Sequence, residues 1–289
     1  MSSRSEHRGA RLWALLAALS LPAVAAAQTP PPPPAQHTEH VAEPAPPPAD
    51  ETVWTLQAGG ILNTGNTRSL SVSGGSRLSL KRSRNVFAAE LTATYGTASL
   101  RDPTTGEFGN YVHSSENVTG KARYDRFLTE MDALFLSVGA LHDPFAGLDV
   151  RMQLQAGYLR NFFKLCEGKH RFWGEVGYDL TYDDFDPDPL LDADGNRLDG
   201  TQVVHSGRAF LGYDNHVNEN VTFLTGVEAL IDVEDIDNVR LNSVSELRSK
   251  ISGKLQLGVQ FALRFDNVPV EGTEKLDTTT TLNLLYSLL

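Results

Sequence analysis

From Val53 to the last residue the chain alternates apolar and polar side chains, stretch after stretch, with no segment of convincing helical period. A period of two sends successive side chains to opposite faces of a strand. The alternation is cleanest over 254–266: Leu255, Leu257, Val259, Phe261, Leu263 and Phe265 fall on one side, with Lys254, Gln256, Gln260, Arg264 and Asp266 on the other. The same division separates Val150, Met152, Leu154 and Tyr158 from Arg151, Gln153 and Gln155, and Val176, Tyr178, Leu180 and Tyr182 from Arg171, Glu175 and Asp179. The final stretch sets Leu282, Leu284, Tyr286 and Leu288 against Thr281, Asn283 and Ser287. Faces this different must meet different media.

Twelve strands are predicted, over 53–62, 68–80, 85–96, 113–126, 131–141, 149–162, 169–183, 202–214, 219–231, 239–251, 254–266 and 276–289. Most are longer than the five or six residues usual in soluble sheets, and they reach the ~9–11 residues that a tilted strand needs to cross a bilayer. The connections alternate in length. Those at 97–112, 142–148, 184–201, 232–238 and 267–275 are long, and those at 81–84, 127–130, 163–168, 215–218 and 252–253 are short. Only the first loop, 63–67, breaks the rule. Even strand number, short turns on one side and long loops on the other describe an up-and-down transmembrane β-barrel. Its charged face would line the lumen, its apolar face would meet lipid, and every backbone group would be paired around the closed sheet. A soluble secreted β-barrel or sandwich is the alternative, compatible with 40% hydrophobic residues. It would have to turn the apolar faces inward and leave the mid-strand Arg and Glu in water.

The first residues read as a secretory signal peptide, 1–27. Arg4, Arg8 and Arg11 precede an apolar run from Leu12 to Val24, and Ala25, Ala26 and Ala27 form a small-residue cleavage site before Gln28. That run is shorter than the ~20 residues of a spanning helix. Removing three Arg and one Glu takes the net charge from −11 to −13, which argues against a nucleic-acid partner. Residues 28–51 read as a disordered periplasmic linker, since 28–50 hold nine of the fifteen prolines and Pro-rich sequence is extended and coreless. His37 and His40 within it read as solvated linker residues. Cys166 is the single cysteine, so no intramolecular disulfide is available.

Several segments resemble a bacterial family of unknown function, domain-of-unknown-function family 481, whose members are labelled salt-induced outer-membrane proteins. Asn63-Thr64-Gly65-Asn66-Thr67 resembles its Ser/Thr-Gly-Asn-Thr hairpin. The run from Asp143 through Gly147 to Arg151 resembles its loop-to-strand segment, and Leu284 to Leu288 its terminal strand, with Leu288 where an aromatic residue is usual. The resemblance spans roughly 52–289 and implies an outer-membrane barrel. It also implies the barrel assembly machinery as a biogenesis partner, membrane lipid and lipopolysaccharide as surroundings, and a link to salt or osmotic stress. It supplies no activity and no cofactor.

Fourteen charged residues are placed on the inner face: Arg77, Glu90, Lys121, Arg123, Arg151, Arg171, Glu175, Asp179, Arg208, Glu228, Arg240, Glu246, Arg248 and Arg264. They either pair across neighbouring strands and fill a narrow lumen, or line a pore for small ions or solutes that nine basic against five acidic residues would bias toward anions. A barrel lipid hydrolase would need a serine facing a histidine at one rim. His113, His142 and His205 are the candidates, but Ser114 and Ser206 directly follow two of them and must point to the opposite face. Asp192, Asp194 and Asn196 open like a calcium loop but lack its glycine at the sixth position and its bidentate Glu at the twelfth, so the segment reads as a solvated loop, with weak Ca²⁺ or Mg²⁺ binding as the alternative. Acidic turn residues such as Asp232 and Asp235 have a local explanation in hydrogen bonding to their own backbone.

Overall fold

A computed structural model describes residues 50–63, 67–100, 107–146, 148–165, 169–185, 200–268 and 275–289. The signal peptide, the linker as far as residue 49, His37, His40, Gly65, Asn66, Gly147, Cys166, Asp192, Asp194 and Asn196 lie outside these residues, while Glu51, expected in the linker, opens the first strand. The described chain forms twelve strands: β1 (Glu51–Asn63), β2 (Thr67–Arg82), β3 (Asn85–Leu100), β4 (Val112–Phe127), β5 (Asp132–Asp143), β6 (Leu148–Leu165), β7 (His170–Phe185), β8 (Thr201–His216), β9 (Val221–Asp232), β10 (Val239–Lys250), β11 (Leu255–Asp266) and β12 (Leu276–Ser287). One 3-10 turn, Pro144–Ala146, joins β5 to β6. Each strand pairs antiparallel with its neighbours in sequence, and β1 closes on β12, so the fold is a closed up-and-down barrel.

The alternation read from the sequence becomes the two faces of the wall. Outward-pointing Leu70, Val72, Leu91, Leu134, Leu136, Val138, Met152, Val176, Leu211, Leu247 and Leu282 are all exposed, whereas Arg123, Asp125, Glu175, Asp179, Arg208, Glu228 and Glu246 are buried inside. A water-soluble protein buries the first group and exposes the second. This inversion, with every interstrand ladder closed, is the architecture of a transmembrane barrel. Aromatic side chains mark the edges of the apolar exterior. On β3, Phe87 and Tyr95 both point outward, eight residues or about 26 Å of strand apart. Trp54, Tyr124 and Tyr286 share the level of Phe87, near the end with the short turns.

Strand ends run beyond the predicted ones chiefly toward the loops. β3 reaches Leu100 and pairs with β2 as far as Thr67, and β7 reaches Phe185, whose N–H donates to the Gly200 carbonyl at 2.7 Å. There the hairpins leave the apolar band and the two faces no longer differ, so alternation cannot mark them. β12 stops at Ser287, one residue before the predicted end of the apolar stripe. Leu288 still donates its N–H to the Trp54 carbonyl at 2.8 Å and the Trp54 N–H donates to the Leu289 carbonyl at 3.5 Å, which continues the closing seam by two bonds.

Candidate functional site

The lumen is the site, and its middle is filled. A chain of ion pairs runs from β4 to β9. Arg123 binds Asp125 at 2.8 Å and Glu175 at 2.9 Å, and Glu175 accepts from Arg208 at 2.7 Å. Arg208 then binds Glu228 at 2.6 Å. The Arg208 and Glu175 side chains are 0% exposed. Gln155 on β6 donates to Glu228 on β9 at 3.3 Å and to Asp179 at 2.9 Å, and Asn242 on β10 donates to Glu228 at 3.1 Å. Two of these contacts, Arg123 with Glu175 and Gln155 with Glu228, join strands that are not neighbours in the wall, so they cross the lumen. The others tie adjacent strands or, for Arg123 with Asp125, residues of one strand into the same network. Charges this deeply buried are tolerable because each is paired and hydrogen-bonded.

Beneath the network, toward the short turns, lies an apolar cluster of Val86, Phe127, Ala133, Phe135, Leu159, Trp173 and Phe210. Phe135 is its keystone. Its ring lies over Gly157, where a Cβ would meet the ring at 2.8 Å, and the adjoining Gly157–Gly177 pair leaves the wall without side chains there. The Arg123 and Arg208 guanidinium groups sit 4.3 and 5.3 Å from its centroid, so the aromatic face carries the cations above it. Arg171 is held likewise, 4.0 Å from the Trp173 ring and 2.7 Å from Asp214.

Toward the long loops the lumen opens into a cavity of about 120 Å³, lined among others by Glu90, Lys121, Arg151, Arg240, Arg264 and Asp266. Arg151 is bidentate to Asp183, with both bonds at 2.6 Å. Glu90 is bound to Arg77 at 2.7 Å.

The fourteen residues assigned to the inner face fall into three groups. Arg123, Arg171, Glu175, Asp179, Arg208 and Glu228 form the closed middle and its turn side. Glu90, Lys121, Arg151, Arg240 and Arg264 line the cavity, with Arg77 behind Glu90. Glu246 and Arg248 pair with each other at 2.6 Å along one strand, not across two. The sequence reading missed Asp125, Asp183 and Asp214, each of which neutralises one of the nine basic residues, so the lumen is more balanced than the nine-to-five count. Their parity matches that of Arg123, Glu175 and Arg208, and that signal was available.

Of the motif residues, Asp143 is buried at the loop end of β5, Arg151 lines the cavity and Thr67 opens β2. Leu282, Leu284 and Tyr286 point outward. His113 stacks on Tyr95 at 4.6 Å, and the Tyr178 hydroxyl meets the His205 ring, so both histidines join the outer aromatic surface. Ser114 and Ser206 are buried. Histidine and following serine thus separate to opposite faces, and no pair for nucleophilic attack forms between them. Asp232 and Asp235 accept N–H bonds from Glu234 at 2.9 Å and Asp237 at 3.1 Å, which accounts for two acidic residues of that turn. Among the described residues no group of three or more His, Cys, Asp or Glu could hold a metal ion.

No curated protein matches the chain. Among solved structures, the NanC porin aligns with a TM-score of 0.48 at 10% identity, over 81% of this chain and 100% of that one. An outer-membrane channel from Pseudomonas putida F1 aligns at 0.47 and 16%, over 83% and 96%. The translocator domain of the autotransporter NalP from Neisseria meningitidis aligns at 0.42 and 15%, over 81% and 86%. A sequence model of one family, described as protein of unknown function, DUF481, matches residues 56–288.

Proposed function

Since the chain belongs to the DUF481 family of proteins of unknown function, we propose that it is a non-catalytic outer-membrane barrel whose lumen is closed at the waist. The observation that carries this reading is the Arg123–Glu175–Arg208–Glu228 network, which crosses the lumen with Arg208 and Glu175 wholly buried. An open porin needs a water-filled constriction, and charges lining one stay hydrated. Here the Arg208 and Glu175 side chains are wholly buried and each of these charges is already paired with its neighbour. The apolar exterior supports a bilayer as the surroundings, and the strand order supports an orientation with the short turns in the periplasm and the long loops outside. Lipid and lipopolysaccharide then cover the wall, and insertion falls to the barrel assembly machinery. The outward-facing rim histidines are what disfavour a lipid hydrolase. A role in salt or osmotic stress follows from the family resemblance and is read by growth of a deletion strain at high salt.

Planar-bilayer recording tests the closed waist. The native barrel is expected to give no discrete conductance steps. Phe135→Ala removes the ring that the network rests on and is expected to admit them. Regular steps from the native protein would refute a closed waist and make the barrel a narrow pore.

A further inference from the structure

The closed waist makes the loop-end cavity a cup and not a passage, and its donors point to what it holds. Six charged side chains are among those lining it, four basic and two acidic. Three of the six are committed elsewhere: Arg151 to Asp183, Glu90 to Arg77, and Asp266 to the Val268 N–H at 3.0 Å. Arg240 and Arg264 are not. Neither makes a hydrogen bond or an ion pair within the described residues, and the Nη2 of Arg240 is buried without a partner. Their nearest acids across the ladders, Asp266 opposite Arg240 and Asp277 opposite Arg264, form no bridge to them. Among the described residues the fully buried guanidinium groups of this lumen, Arg123, Arg171 and Arg208, are each bridged to a carboxylate. Arg240 and Arg264, half-buried on neighbouring strands beside the fixed cation of Arg151, have no such bridge, and Asp143, Asp266 and Asp277 attract Arg264 only from beyond ion-pair distance.

A buried charged donor without an acceptor is costly, and an anion that brings the acceptor relieves it. Guanidinium groups present planar forks that fit the oxygens of a carboxylate or phosphate. The cavity, at about 120 Å³, is roughly ten times what one water needs, so it has room for a small organic acid. Asn242, opposite Arg264 on β10 and donating to Glu228, is the neutral side chain of the same lining. We propose that the loop-end half of the barrel is a binding cup for a small soluble oxyanion, a carboxylate- or phosphate-bearing solute, gripped by Arg240 and Arg264. The inference rests on the closed barrel proposed above. It gives that barrel a solute to capture from outside.

Calorimetric titration of the full barrel, refolded in detergent, with inorganic phosphate tests it. One saturable event is expected in the native protein, at least tenfold weaker in Arg240→Gln and in Arg264→Gln. Arg160→Gln, on the exposed exterior at the short-turn end, is expected to leave it unchanged. Each variant is first shown to be folded by its heat-shifted gel migration. Should a glutamine variant not fold, the native protein still decides the matter: phosphate must raise its unfolding midpoint and glucose must not. Absence of saturable heat in the native barrel, or binding undiminished in both variants, overturns the cup. The two proposals fail separately, since a barrel that conducts and still binds phosphate refutes only the waist, while a silent barrel that ignores phosphate refutes only the cup.

Discussion

Glu175 shows how much one carboxylate can hold inside a barrel. It accepts from Arg123 and Arg208, and without its charge both guanidinium groups would remain buried beside an amide. Breaking a buried pair by removing one partner costs on the order of 3–5 kcal/mol. Glu175→Gln is therefore expected to lose about that much in urea unfolding from lipid vesicles, followed by Trp173 fluorescence. Arg160→Ala removes an exposed guanidinium that reaches Asp132 and Tyr158 and is expected to leave unfolding nearly unchanged in the same assay. Equal losses would show that the network is not a structural unit. Which side chains face inward was legible in the sequence, because parity alone assigns them. Which of them touch was not. Arg123 and Glu175 stand fifty-two residues apart and meet only because the barrel curves β4 and β7 toward one another. Asp183 and Asp214 were overlooked because they lie near strand ends, where an aspartate reads as turn chemistry.

At the level of the strand, the twelve elements were legible because lipid and lumen impose opposite demands on alternate residues over the whole span. Their ends and their closure were not, since neither depends on which face is apolar. The seam shows this. β1 pairs with β2 over thirteen residues, Glu51 to Asn63, but with β12 over only six, Thr55 to Gly60. Within that short ladder Gly59 admits close contact: a Cβ there would meet the Asn283 Oδ1 at 2.4 Å and the Ser73 Oγ at 2.8 Å. Gly74 on β2 has nothing within 4 Å of the same atom. Gly59→Val is accordingly expected to strain the seam by about 1–3 kcal/mol, and Gly74→Ala to be near neutral. The temperature at which the folded band disappears from a gel reads both. A seam that tolerated valine would mean that closure rests on the backbone ladder alone.

The whole molecule is defined by what surrounds it, and two exposed apolar side chains on different parts of the surface separate the possible surroundings. Leu136 is the fifth of twelve residues in β5, near the middle of the apolar exterior, and is 49% exposed. Val233 follows β9 in a loop and is 60% exposed. In water the two are equivalent, and arginine at either position would be harmless or helpful to solubility. In a bilayer they are not equivalent. Arginine on the lipid face at the midplane costs ~2–4 kcal/mol, falling toward zero at the interfaces. Unfolding from vesicles is therefore expected to show Leu136→Arg destabilised by roughly 2–4 kcal/mol and Val233→Arg within about 0.5 kcal/mol of the native chain. If the two variants matched the native protein, the apolar wall would be meeting water or another protein surface. The inverted burial of the charged lumen would then need a different cause, because only a lipid exterior makes it cheaper to place Glu175 inside than Leu136.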